Sequence, residues 1–154
     1  MNNENIYILL VEDNPGDARL TKEVFLDCKI ANSLEIVEDG EEAIKFLYKQ
    51  GNYSNAKTPD LILLDLNLPK KSGQEVLEEI KSDSNLKQIP VVILTTSEAE
   101  KDILKSYNLN ANSYINKPVD FDQFIDVVKV IEAFWLTIVK LPTRVKKSKN
   151  SKAA

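Results

Sequence analysis

Apolar residues fall along the chain in two alternating patterns: short unbroken runs, and stretches in which they recur every three or four positions. Ile6-Tyr7-Ile8-Leu9-Leu10-Val11 is continuous and rich in β-formers, the pattern of a strand buried on both faces. Asn14-Pro15 then offers a helix N-cap and a first-turn proline, and Ala18, Thr21, Val24, Phe25 and Cys28 follow at helical spacing. The unit recurs. A short strand over 34–37 precedes a helix over 41–49, and a polar linker over 51–59 leads to the apolar run Leu61-Ile62-Leu63-Leu64, which ends in Asp65. A loop with Pro69 and Gly73 enters a helix over 74–81, whose Val76, Leu77 and Ile80 share one face. Pro90-Val91-Val92-Ile93-Leu94 predicts a fourth strand; a helix over 99–107, a strand over 113–116 and a last helix from 121 to about 135 complete the series.

Five strands alternating with five helices require an α/β fold. Each right-handed crossover lays a helix on the sheet, so the strands run parallel and both faces are covered. A length of 154 residues suits one such core. The sequence places that domain over residues 1–136, with a C-terminal extension and basic tail over 137–154.

Composition narrows the class. Apolar residues at 43% and charged residues at 29% are in the balance of an ordinary soluble globular protein. Cys28 has no disulfide partner, which points to a reducing cytoplasm. No apolar run approaches a membrane span, and the Asn- and Glu-containing start lacks the features of a signal peptide. Net charge is −4, yet every charged residue from Arg144 onward is basic: Arg144, Lys146, Lys147, Lys149 and Lys152. Without these five the remainder is near −9, a surface that repels nucleic acid. The tail reads as a short solvated terminus.

In an open parallel sheet the site lies beyond the carboxyl ends of the strands, beside the point where strand order reverses. The first strand ends in Glu12-Asp13, the third in Asp65, the fourth in Thr95-Thr96-Ser97 and the fifth in Lys117-Pro118. Three acids, a hydroxyl and a lysine thus share one rim. Acids several ångströms apart repel by a few kcal/mol at an effective dielectric near 20, so their clustering calls for a cation. Magnesium suits carboxylate oxygens and keeps waters that a phosphate oxygen displaces. Beside it, Asp65 becomes a carboxylate nucleophile toward a phosphoryl donor, with Lys117 and Thr95 supplying a charge and a hydroxyl donor for the new oxygens.

The segments Val11-Glu12-Asp13, Leu64-Asp65-Leu66-Asn67-Leu68-Pro69 with Gly73, Leu94-Thr95, and Tyr114 with Lys117-Pro118 resemble the receiver domains of two-component response regulators. The resemblance spans about residues 5–136, and the intervals of 30 from Asp65 to Thr95 and 22 from Thr95 to Lys117 are the family's. It implies a flavodoxin-like, doubly wound five-stranded parallel sheet in the order 2-1-3-4-5. It also implies that Asp65 is the phosphoacceptor, that Glu12, Asp13, Asp65 and the carbonyl of Asn67 bind Mg2+, and that Thr95 and Lys117 hold the phosphoryl group. Tyr114 falls at the family's aromatic switch position, Asn67 and Ser97 at positions that influence the lifetime of the acyl phosphate, and Lys117-Pro118 at a peptide that is typically cis. Thr96 departs from the pattern, standing where the family usually keeps a smaller residue.

The implied donor is a sensor histidine kinase. More narrowly, Phe134-Trp135-Leu136 before Leu141-Pro142, with the segment from Leu64 to Lys71, resembles the small response regulators that serve cyanobacterial and bacterial phytochrome kinases. Too little chain follows residue 136 for a DNA-binding module, so the output is expected to be a protein contact. The last helix carries two apolar stripes, Phe124, Val128, Ile131, Trp135 and Val127, Val130, Phe134, Ile138, which suggest a homodimer through Phe124, Val127, Val130, Phe134 and Trp135. Two other classes stay open. An aspartyl-phosphate phosphatase would need a second acid where Asn67 stands, and a flavin or nucleotide module would need a glycine-rich phosphate loop, whereas the four glycines are scattered. A receiver-like binding module that works without phosphorylation is the third alternative.

Overall fold

A computed structural model describes residues 6–27, 32–95 and 113–117, together with Ala99, Asp122, Gln123 and Asp126. The chain divides into two compact units, Met1–Phe121 and Asp122–Ala154, and the first contains the sheet. Its strands are β1 (Ile6–Val11), β2 (Asn32–Val37), β3 (Leu61–Asp65), β4 (Val91–Thr95) and β5 (Ser113–Asn116). Its described helices are α1 (Pro15–Leu26), α2 (Gly40–Leu47) and α3 (Gly73–Ser82).

All strand pairs are parallel, in the order β2-β1-β3-β4-β5. The alternation of patterns predicts the parallel α/β sheet, and its flavodoxin-like order is the one that the resemblance to receiver domains implies. The chain leaves β1 for one neighbour and then crosses back to the other, so the reversal of strand order falls between β1 and β3. Every residue of β3 and β4 is buried, as an uninterrupted apolar run must be when both faces are covered. Along one face Leu9, Val11, Ile62, Leu64, Val91 and Ile93 join Ala43, Phe46 and Leu47 of α2 and Val76, Leu77 and Ile80 of α3 in one core. The period of two in the strands and of three to four in the helices is what brings these positions together.

Several boundaries differ from the sequence expectation for identifiable reasons. β2 begins at Asn32, two residues before the apolar stretch, because an edge strand accepts polar residues and the Asn32 amide donates to the Phe25 carbonyl at 3.1 Å. α2 starts at Gly40 because Asp39 caps it, accepting from the Glu42 nitrogen at 2.8 Å. It ends before Lys49, whose φ of 57° is left-handed. α3 starts one residue early, at Gly73, because Ser72 and Glu75 form a reciprocal capping box. Short 3-10 turns at Gly51–Tyr53 and Leu86–Gln88 had no counterpart in the pattern.

The helices expected over 99–107 and 121–135 lie almost wholly outside the described residues, although Ala99, Asp122, Gln123 and Asp126 are helical. Among the described residues no helix is long and apolar enough to cross a membrane.

Candidate functional site

The carboxyl ends of the strands deliver their polar residues to one place. Glu12 leaves β1 with its nitrogen bonded to the Val37 carbonyl at 3.0 Å, which ties the first acid to the end of β2. Its side chain is almost fully buried, whereas the neighbouring Asp13 is exposed. Asp65, the last residue of β3, is also buried. One carboxylate oxygen of each of Glu12, Asp13 and Asp65 falls within 4.8 Å of the others.

Asp65 is oriented from both sides. Its Oδ1 accepts from the Asn67 backbone nitrogen at 3.0 Å, and its Oδ2 lies 3.1 Å from Nζ of Lys117. The turn that carries Asn67 is fixed by α3, since Gly73 nitrogen donates to the Leu66 carbonyl at 3.0 Å. A side chain at position 73 would meet the Asp65 carbonyl and stand 2.5 Å from the Leu66 Cα, so glycine is what lets the helix pass beneath the site. On the other side of this loop, α2 approaches so closely that a Cβ at Gly40 would lie 2.6 Å from the Lys71 carbonyl carbon.

Lys117 follows β5 and reaches back over the rim. Its Nζ lies 2.9 Å from Asp17 Oδ2, 3.0 Å from Glu12 Oε1 and 3.1 Å from Asp65 Oδ2. Burial alone would lower the lysine's pKa, but the three carboxylates outweigh it and hold the ammonium above its usual range. The Glu12 carboxyl is pushed up to about 7, chiefly by burial and then by the adjacent Asp65, with Lys117 opposing the shift.

Thr95 closes β4, is fully buried, and pairs in register with Asn116. Tyr114 is half-buried against the core shared with α2 and α3. The structure therefore brings Glu12, Asp13, Asp65 and Lys117 together, with Thr95 on the adjoining strand end and Asn67 orienting Asp65 through its backbone. Ser97, Phe124, Val127, Val130, Phe134 and Trp135 lie outside the described residues, as do Cys28, Thr96 and Pro118. Asp17 was not anticipated. It stands in the first turn of α1, where an acid reads as a favourable partner of the helix dipole and nothing local points to Lys117.

The donors fit an oxygen-seeking divalent cation. Glu12 Oε1 is buried and accepts no well-formed hydrogen bond among the described residues, even with Lys117 Nζ close by. Among the described residues the Lys117 ammonium, 3.0 Å away, offsets the charge at this buried oxygen, and a divalent ion meets the same need. Together with Asp65 and the solvent-facing Asp13, Glu12 offers the hard, partly hydrated oxygen set that such ions prefer.

The response regulator Rcp1 of Synechocystis sp. is 51% identical over 135 residues, covering 88% of this chain and 92% of that protein. A solved structure of a phosphorylated cyanobacterial phytochrome response regulator, RcpA, shares 51% identity at a TM-score of 0.73, over 91% of this chain and 100% of that one. The Mn2+-bound form of Rcp1 shares 50% identity at a TM-score of 0.70, over 89% and 99%. Residues 8–129 match the family model of the response regulator receiver domain, and with these relatives at such coverage the chain belongs to that family.

Proposed function

We propose that this receiver accepts a phosphoryl group on Asp65 from a sensor histidine kinase of the phytochrome type and signals through protein contacts. The observation that carries the reading is the presentation of Asp65: buried at the end of β3, held by the Asn67 nitrogen on one oxygen and Lys117 on the other, beside Glu12 and Asp13. That RcpA has been solved in a phosphorylated form and Rcp1 with Mn2+ supports the same assignment here. Both RcpA and several solved relatives are phytochrome or bacteriophytochrome response regulators, which supports the choice of kinase.

Glu12, Asp13, Asp65 and the carbonyl of Asn67 would hold Mg2+, which when bound neutralises charge on the phosphoryl oxygens. An Asp65 carboxylate oxygen bonds to phosphorus as the bond from phosphorus to the donor's imidazole nitrogen breaks, and the electron pair leaves on that nitrogen. Lys117 donates to one phosphoryl oxygen and the Thr95 hydroxyl to another, in place of solvent. Movement of Thr95 toward the phosphoryl group then lets the Tyr114 ring turn inward, while Asn67 and Ser97 set how readily water reaches the acyl phosphate. The protein is a phosphoacceptor that turns over only its own modification.

The receiver body extends to residue 136, and residues 137–154 form an extension. A homodimer through Phe124, Val127, Val130, Phe134 and Trp135 is supported by the two apolar stripes that the sequence carries over 124–138; a monomer in sedimentation at high concentration, phosphorylated or not, rules it out. The deciding experiment for the site is intact mass after incubation with a small phosphodonor or a phytochrome kinase and Mg2+. Wild type should gain about 80 Da and Asp65→Asn nothing; a gain in the variant, or none in wild type, defeats the assignment.

A further inference from the structure

Asp17 touches none of the atoms that phosphoryl transfer changes, yet it makes the shortest of the three contacts to Lys117. An ammonium has three N–H bonds, and here three carboxylates surround it at 2.9 to 3.1 Å. Two of those carboxylates, Glu12 and Asp65, belong with Asp13 to the group of oxygens that could hold a divalent ion. Asp17 does not. The lysine and the divalent ion therefore compete for the same two acids, and as like charges they also repel.

Asp17 is the carboxylate left to the lysine once the other two are engaged. It is also well placed to keep it. Asp17 sits on the first turn of α1, its own nitrogen bonded to the Asn14 side chain at 3.0 Å, so its carboxylate is carried by a fixed scaffold. Its side chain is 36% exposed, against 0% and 5% for Glu12 and Asp65, so an ammonium drawn toward it regains water.

We propose that Asp17 is a positioning residue that draws Lys117 aside when a divalent cation enters the Glu12, Asp13 and Asp65 group. This rests on the metal reading above and adds a cause for the coexistence of the two cations. Without Asp17, the ammonium remains on Glu12 and Asp65 and the divalent ion must displace it.

The test is calorimetric titration of Mg2+ into four unphosphorylated full-length proteins: wild type, Asp17→Asn, Lys117→Gln and the double variant, each checked for native circular dichroism. Asp17→Asn should weaken Mg2+ binding about three- to tenfold, within the range of coupling between contacting residues. In the Lys117→Gln background, with no competing ammonium, the same change should shift affinity less than about twofold. An Asp17→Asn affinity equal to wild type overturns the proposal. So does an equal loss in both backgrounds, which would mean that Asp17 acts on the ion through its own charge. Failure of the wild type to bind Mg2+ at millimolar concentration is a separate result that removes the metal site itself.

Discussion

The backbone nitrogen of Lys117 donates to the carbonyl of Thr95 at 2.9 Å, so the residue that carries the ammonium is tied to the strand end that carries the hydroxyl. That bond fixes where the lysine starts, and its side chain has one converging target among three acids. A guanidinium spreads its charge over a plane and cannot reproduce a point donor there. Lys117→Arg should therefore slow phosphorylation by a small donor about 100-fold or more while leaving the circular dichroism unchanged. A time course of intact mass measures this, and a rate within a few-fold of wild type contradicts it.

Divalent ions should stabilise the fold through the acidic group. An ion that binds only the native state adds about 2.7 kcal/mol at a hundred times its Kd, which for a chain of this size raises Tm by roughly 5–10 °C. Asp13 is exposed and lies within 4.8 Å of the Glu12 and Asp65 carboxylates, so Asp13→Asn relieves their repulsion and should raise the metal-free Tm while losing most of the Mg2+ shift. Differential scanning fluorimetry with and without a chelator reads both quantities. A full shift in the variant removes Asp13 from the ligand set.

Gly73 and Gly40 hold the loop after β3 from its two sides, and neither has room for a side chain. The nearest obstructing atoms are backbone, which yields only by moving the loop. Gly73→Ala and Gly40→Ala should each cost about 2–4 kcal/mol in urea unfolding, and Gly73→Ala should also slow phosphorylation because the obstacle includes the Asp65 carbonyl. Wild-type stability in either variant would show that the loop relaxes freely.

A pH effect is expected from a pair outside the acidic cluster. The Tyr53 hydroxyl donates to the Glu42 carboxylate at 2.5 Å, and this bond, with burial and the Glu42 charge, pushes its pKa up to about 12. The fold thus favours the neutral phenol over the unfolded chain, where tyrosine ionises near 10. The stabilisation is complete below pH about 10 and fades as pH rises through about 12. Tyr53→Phe keeps the ring against Phe46, 5.3 Å away between centroids, and loses only the hydroxyl. The difference in urea midpoint between the two proteins should be constant from about pH 7 to 9.5 and shrink above about pH 10; a difference independent of pH refutes the assignment.

Much of this was legible in the sequence because the central strands are continuous apolar runs, and a strand buried on both faces leaves no other pattern. The acids were legible for a related reason: Glu12 and Asp65 are the first charged residues after such runs, where an open parallel sheet exposes its ligands. What escaped was non-local or conditional. Asp17 meets a lysine 100 positions away, and only the order and register of the strands bring them together. The beginning of β2 escaped because an edge strand tolerates Asn32 and Ser33 as readily as apolar residues. The Ser72 and Glu75 capping box was written in the sequence, but Gly73 between them reads first as a helix breaker.

The register of the sheet carries one more implication. Glu12, Asp65 and Lys117 meet because β1 is aligned with β3, β3 with β4 and β4 with β5, and a slip of one residue in any pair would turn the side chains of that strand over. No fragment of the sheet possesses the acidic nest and its lysine together. A nascent or misassembled chain consequently lacks the site, which is complete only once β5 has docked on β4.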